Sequence, residues 1–308
     1  MTALDERAFR ESAFAWLRAR MLVQPVFTRD ELANFEFMGS TFRLVGTQTG
    51  IWKPRELFSA LSILTAYVDR ESDRPYRDGL GTDQMLRYKW RGLDPNTADN
   101  RWLRDAMNAG VPLLWFHGIG YAPGTRTQVF QPVMPVWLVA EEPQEHQFVV
   151  ALDEAQRELV FGGHVQVREI ERRYNERLVK TRVHQPLFRA QVLHAYEQRC
   201  AVCRLPFEKL LEAAHIKGDA EGGMPHVTNG LSLCKIHHGA FDSHILGISP
   251  DYKVHIGEEV LNTFDGPTLQ HALKEMNGES LRQLPTLHSQ RPNRELLADR
   301  FEQFLRAG

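Results

Sequence analysis

Apolar residues recur at helical spacing over 4–20, with Leu4, Ala8, Ala15, Trp16 and Leu17 near one face, and predict a first helix. Thr28-x-x-Glu31 is a capping-box pattern and predicts a second, short helix. Residues 41–46 predict a strand. Trp52-Lys53-Pro54 interrupts the pattern, and 56–67, with Leu57, Leu61 and Leu64 in helical register, predicts another helix. Further on, runs at 85–90, 111–117, 129–140 and 147–152 predict strands, separated once by a helix near 100–108 that Gly110 stops. Pro132 and Pro135 predict that the 129–140 strand is bent or lies at an edge. The front half is thus mostly β with one or two helices packed outside, which fits a small twisted barrel.

The pattern changes after Gly162-Gly163. Residues 165–199 predict helix, interrupted near Pro186. This stretch holds eight Arg or Lys against four Glu, the most basic connector in the chain. It can cross a DNA backbone, or it can be a solvated helix face between domains. Leu210-Leu211-Glu212-Ala213-Ala214 predicts the first strand of a hairpin, Gly222-Gly223 its turn, and 233–241 a helix. A short strand pair is predicted over 251–260. Asn293 can cap a last helix whose stripe is Leu296, Leu297, Phe301, Phe304 and Leu305.

At 308 residues the chain fits two domains plus connectors. Its 43% hydrophobic and 25% charged content is that of a globular protein. Net charge is −2, so any nucleic-acid surface must be local. Three cysteines do not make a disulfide scaffold. The start MTALDERAFRESAF has no signal-peptide core, and no apolar run approaches the ~20 residues needed to span a membrane. The expectation is a soluble, cytoplasmic protein.

All three cysteines and five of the thirteen histidines fall between Cys200 and His244. Cys200-x2-Cys203 and Cys234-x2-His237 are two close-spaced pairs that suit tetrahedral zinc, in a closed site that would be structural. The other reading is three buried free thiols in a reducing compartment. A second set, His215, Asn229, His238 and Asp242, is not needed for that zinc. His238 and Asp242 stand at i and i+4 on one helix face and can hold a hard divalent cation with open positions. His215 opposite them can take a proton from water.

The run AAHI…NGLSLC..HH..FD resembles the HNH, or ββα-metal, nucleases over about residues 190–257. The resemblance implies that His215 is the general base, that Asn229 fixes the histidine loop, and that His238 binds a catalytic Mg2+ or Mn2+. Asp242 matches a second metal ligand of the colicin-type branch. Family members often carry Asp or His immediately before the general base; here that position is Ala214.

In the front half, Tyr76-Arg77-Asp78 and Tyr88-Lys89-Trp90-Arg91 interleave rings with charges. Such residues can receive an unstacked base, or they can be strand aromatics facing a core. The succession YRDG, YKWRG, DNRWL and GVPLLWFHG resembles the SRA (YDG) domain, a PUA-like barrel, over about residues 40–155. That resemblance implies a flipped 5-methylcytosine or 5-hydroxymethylcytosine between Tyr76 and Trp90, its edge read by Asp78, with Asp83 as the alternative carboxylate.

Together the resemblances imply an α+β protein in three parts: a modified-base recognition domain over 1–160, a basic helical connector over 161–189, and an HNH domain with a C-terminal helical extension over 190–308. They imply a modification-dependent restriction endonuclease acting on double-stranded DNA that carries modified cytosine. One HNH site cuts one strand, so a double-strand break implies a homodimer. Two alternatives remain: an HNH endonuclease that reads another feature, and a non-catalytic zinc-containing DNA-binding protein.

Overall fold

The computed structural model describes residues 5–68, 79–161, 169–264 and 266–307. The chain divides into two compact units, Met1–Leu187 and Phe188–Gly308.

The first unit opens with α1 (Glu6–Met21), capped by Asp5, whose carboxylate accepts from the N–H groups of Arg7 and Ala8. Phe9, Ala13, Phe14 and Leu17 form its buried face. Phe9 meets Phe35, Phe37 and Phe42 edge to face. Arg10 is buried as well, at 2% exposure. Its guanidinium pairs with Glu6 and donates to the carbonyls of Pro112 and Ala60, so α1 is tied to the chain ahead of two sheet strands.

A two-residue strand, β1 (Phe27–Thr28), leads into the capping box. Thr28 N–H donates to Glu31 at 2.7 Å, and Glu31 N–H donates back to Thr28 Oγ1 at 3.2 Å. The helix that follows is a single 3-10 turn, Glu31–Ala33. Next, β2 (Phe35–Phe37) and β3 (Ser40–Phe42) form a separate hairpin.

The main sheet contains β4 (Ile51–Trp52), β5 (Ser62–Thr65), β6 (Leu86–Lys89), β7 (Leu113–Tyr121), β8 (Gln128–Glu142) and β9 (Gln147–Ala151). Its order is β4-β5-β7-β8-β9-β6, with β1 on β8. Among the described residues only β5 and β7 run parallel. The fold is mixed α+β with a curled half-barrel sheet. Among the described residues the end strands β4 and β6 do not pair, so the sheet stays open.

The helix predicted over 56–67 is not formed. A turn leads instead into β5. Leu57, Leu61 and Leu64 are buried, but so are Ala60, Ser62 and Ile63 between them. A strand covered on both faces reads as a continuous apolar run, and here that run mimicked helical spacing.

The 129–140 strand is central, and it bends. β8 pairs with β7 up to Val136 and with β9 from Trp137 onward. Met134 and Pro135 fall in a register shift between Val133 and Val136. A missing N–H at Pro135 therefore removes no ladder bond.

α2 (Ala98–Asn108), capped by Thr97, ends at Gly110 with φ +61°. α3 (Glu154–Phe161) and α4 (Glu169–Val179) follow β9. The stretch predicted as connector contributes to this unit's core. Val179 and Val183 are buried beside Leu103 and Leu152, and Asn175 donates to the carbonyl of Asp83. Pro186 does not break the helix. A π-helical turn, Lys180–His184, widens the backbone just before α5 (Gln185–Ala195), and the N–H of Gln185 reaches Lys180 O. The widening accommodates a ring that would otherwise meet the carbonyl four residues back.

In the second unit β10 (Leu211–His215) pairs antiparallel with β11 (Gly230–Cys234), and α6 (Lys235–Asp242) follows at once. β12 (Leu246–Ile248) and β13 (Val254–Ile256) form a second hairpin, set earlier than the predicted 251–260 pair. Two short helices, α7 (Glu258–Asn262) and α8 (Pro267–Ala272), precede α9 (Arg294–Ala307). Asn293 caps α9 through the N–H groups of Glu295 and Leu296. Leu297 and Phe304 face inward, whereas Leu305 is exposed. The core joins Val192, Tyr196, Leu211, Ala214, Leu231, Leu233 and Phe241.

Candidate active site and metal centre

Cys200 and Cys203 stand on a tight turn after α5, where Arg204 takes φ +61° and donates its N–H to Cys200 O. Cys234 closes β11, and His237 lies in the first turn of α6. The four donor atoms lie within 4.8 Å of one another. Cys200 Sγ and Cys234 Sγ are 3.4 and 3.1 Å from His237 Nδ1, and Cys203 Sγ is 4.0 Å from Cys234 Sγ. A tetrahedron of zinc–sulfur bonds has edges of about 3.7 Å, so the donors fit.

The histidine is already oriented for such an ion. Its Nε2 lies 2.7 Å from Ala272 O. A carbonyl only accepts, so Nε2 carries a proton and Nδ1 is the atom turned to the sulfurs that would bind the ion. Burial lowers the His237 pKa, but the Cys200 and Cys234 sulfurs outweigh it and push it up to about 10. Hydrogen bonds among the thiols drive Cys200 up and Cys234 down. A cation would resolve this crowding of like groups.

The second set surrounds the same hairpin. His215 ends β10 opposite Gly230, and its ring stacks on Phe188 at 4.0 Å and 16°. Its Nε2 is 3.7 Å from Asp219 Oδ1. Asn229, buried, precedes β11. Its Oδ1 accepts from Lys217 N–H at 2.9 Å, and its Nδ2 donates to Lys217 O at 3.0 Å and Met224 O at 2.9 Å. The N–H of Ile216 also donates to Asn229 O. The chain leaving His215 is thus held through both of its next residues.

On α6, His238 Nε2 and Asp242 Oδ2 are 3.2 Å apart. Adjacent ligands of an octahedral ion with bonds near 2.1 Å are separated by about 3.0 Å, so this pair fits two neighbouring positions. His238 Nδ1 lies 2.6 Å from Glu212 Oε2. Glu212 is a partner that residue type alone does not reveal. It stands on β10 opposite Leu233, which comes two residues before α6 begins, and only that register brings it to His238. The same holds for Phe188 and the carbonyl of Ala272, because stacking and carbonyl contacts leave no residue-type signature.

The base-pocket residues are placed differently. Tyr76 and Asp78 lie outside the described residues. Trp90 is 3% exposed, set in the core edge-on to His146 and tilted against Phe148. Asp83, the alternative carboxylate, is engaged by Arg87 and by the N–H of Met85. Among the described residues no helix is long and apolar enough to cross a membrane.

Residues 200–249 match the family model for an HNH endonuclease. The chain therefore carries an HNH endonuclease domain, and it is a nuclease. Several solved structures are similar to it, two of them as follows. One is titled "Modification dependent TagI restriction endonuclease", 20% identical, covering 84% of this chain and 86% of that one at TM-score 0.29. The other is titled "Structure of the Type IV phosphorothioation-dependent restriction endonuclease ScoMcrA", 14% identical, covering 79% and 54% at TM-score 0.21. Scores of this size do not establish a shared overall fold. No curated protein matches the sequence.

Proposed function

We propose that this protein is a restriction-type endodeoxyribonuclease that hydrolyses phosphodiester bonds in double-stranded DNA bearing a modified cytosine. The observation that carries the catalytic half is the pairing of His238 with Asp242 on the helix that directly follows the strand opposite His215.

In this reading His215 takes the proton from the attacking water. Phe188 fixes the plane of its ring, and Asn229 fixes the backbone beyond it. His238 and Asp242 would hold a Mg2+ or Mn2+ ion, which when bound supplies charge for the non-bridging and leaving oxygens of the phosphodiester. The Cys200, Cys203, Cys234 and His237 set would hold zinc, which takes no part in the chemistry.

The first unit selects the target. Support for 5-methylcytosine or its hydroxymethyl form is the succession of YRDG, YKWRG, DNRWL and GVPLLWFHG motifs, whose resemblance implies Tyr76 and Asp78 as pocket residues. Trp90, buried against His146 and Phe148, is not a second stacking ring. Flipping the base costs a few kcal/mol of unstacking that a fitting pocket offsets. Two protomers would make a double-strand break.

A paired digestion tests this. One plasmid, methylated at cytosine or left unmethylated, is incubated with the protein and Mg2+ or Mn2+, beside a His215→Ala control. Cutting of the methylated plasmid alone, lost in the control, is the expected result. Equal cutting of both would discard the methyl-reading half. A His215→Ala protein that cuts at the wild-type rate would sink the catalytic assignment.

A further inference from the structure

We propose that Glu212 is a positioning residue that sets the tautomer and the ring orientation of His238 for binding the catalytic divalent ion. The inference rests on the nuclease reading above and names a residue that reading does not use.

A carboxylate can only accept, so the 2.6 Å contact requires Nδ1 of His238 to carry a proton. In a neutral ring the lone pair is then on Nε2, the atom 3.2 Å from Asp242. Glu212 thus selects the tautomer whose free nitrogen faces the second ligand. The arrangement has a counterpart in the same domain. His237 is held through Nε2 by Ala272 O and offers Nδ1 to the cysteines. His238, its neighbour, is held through Nδ1 and offers Nε2.

The placement of Glu212 follows from the hairpin. Strand alternation puts residues 212 and 214 on one face of β10. Ala214 is fully buried in the core, so a carboxylate there would be desolvated. Glu212 lies two pairs along, opposite Leu233 rather than Leu231, and its side chain is 44% exposed. The hairpin therefore keeps an acidic group on that face, but as an outer partner of the histidine rather than a ligand. Among the described residues, the group of three or more His, Cys, Asp or Glu donors close enough to share an ion is the cysteine–histidine set; Glu212, His238 and Asp242 do not form another.

The test is a Mn2+ titration, by calorimetry or electron paramagnetic resonance, of the zinc-loaded full-length protein. Wild type is compared with Glu212→Gln, Glu212→Asp and His238→Ala. The expected result is one Mn2+ beyond the zinc in wild type, bound about 10–100-fold more weakly by Glu212→Gln and with intermediate affinity by Glu212→Asp. Zinc content and thermal unfolding should stay unchanged, which a merely structural strand-to-helix ion pair would not give. Wild-type Mn2+ affinity in Glu212→Gln, with the ion lost in His238→Ala, would overturn the inference and leave the nuclease reading intact. Loss in Glu212→Gln as complete as in His238→Ala would make Glu212 a ligand and also overturn it. A zinc-loaded wild type that binds no Mn2+ would remove the metal reading and the inference with it. Should Glu212→Gln lose zinc, the same criteria apply to Glu212→Asp.

Discussion

Asn229 grips the backbone of Lys217 at both of its polar groups, accepting from its N–H at 2.9 Å and donating to its carbonyl at 3.0 Å. The amide acts as a surrogate strand partner just past the end of the β10–β11 ladder, two residues beyond His215. Asn229→Ala would leave the half-buried N–H and carbonyl of Lys217 without that partner, at roughly 1–3 kcal/mol for each group that water does not reach. We expect a folded protein whose cleavage rate falls far more than its DNA affinity. Asn229→Asp should be about as damaging, because a carboxylate cannot donate to the Lys217 and Met224 carbonyls. Single-turnover cleavage beside a DNA-binding titration checks this. A parallel loss of both would mean that the bracket serves only the fold.

Zinc removal should act on a different scale. Cys200 and Cys234 lie inside the core that contains Val192, Leu211 and Phe241, so the site is continuous with the packing of the second unit. A structural zinc contributes apparent binding energy on the order of 10 kcal/mol, comparable to the whole stability of a domain. Chelation, or Cys203→Ser, should therefore unfold the second unit and abolish cutting that added Mg2+ does not restore. Hydrogen exchange resolved by segment would show protection lost across 200–256. Retained protection there after complete zinc removal would contradict a structural role.

The grouping of the donor residues was legible in the sequence because it is encoded in residue type and spacing. Two close-spaced pairs bring four donors together, and an i, i+4 pair on one helix brings His238 to Asp242. Glu212 was not legible, because its partner is 26 positions away and the contact exists only once hairpin register and helix direction are fixed. The same logic separates the front strands. Residues 86–89 alternate apolar and basic side chains, whereas 56–67 buries residues on both faces of its strand, and the spacing of Leu57, Leu61 and Leu64 imitates a helix. Pairing with β4 on one side and β7 on the other settles that stretch as a strand.

Acid should weaken the first unit through Glu6. Burial raises the pKa of its carboxyl, but the Arg10 guanidinium and the N–H of Phe58 outweigh that and hold it below the usual carboxylate range. An acid depressed on folding stabilises the native state above its unfolded pKa, and that stability is lost as pH falls through the folded value. Glu6→Gln should cost about 3 kcal/mol at pH 7, since it leaves the buried Arg10 without its counter-charge. The variant should also show a flatter dependence of stability on pH below the usual carboxylate range. Urea unfolding of both proteins across that range measures the difference. An unchanged slope would mean that other carboxylates carry the acid sensitivity.

Gly230 links the packing of α5 to the candidate general base. It pairs with His215 across the hairpin, and a Cβ added there would lie 2.4 Å from Val192 Cγ2 and 2.9 Å from Phe188 Cζ. Phe188 is the ring on which His215 stacks. Gly230→Ala must therefore move Phe188, or the strand, and carry His215 with it. Overpacking of this kind typically costs 1–3 kcal/mol. Gly247 is a matched control in the same unit, because its added Cβ would meet Phe304 Cδ1 at 2.6 Å on α9 rather than the His215 support. Both alanine variants should lose comparable stability, but only Gly230→Ala should lose cleavage rate measured well below its unfolding temperature. Equal losses of rate at equal losses of stability would show that the Phe188–His215 stack does not govern the chemistry.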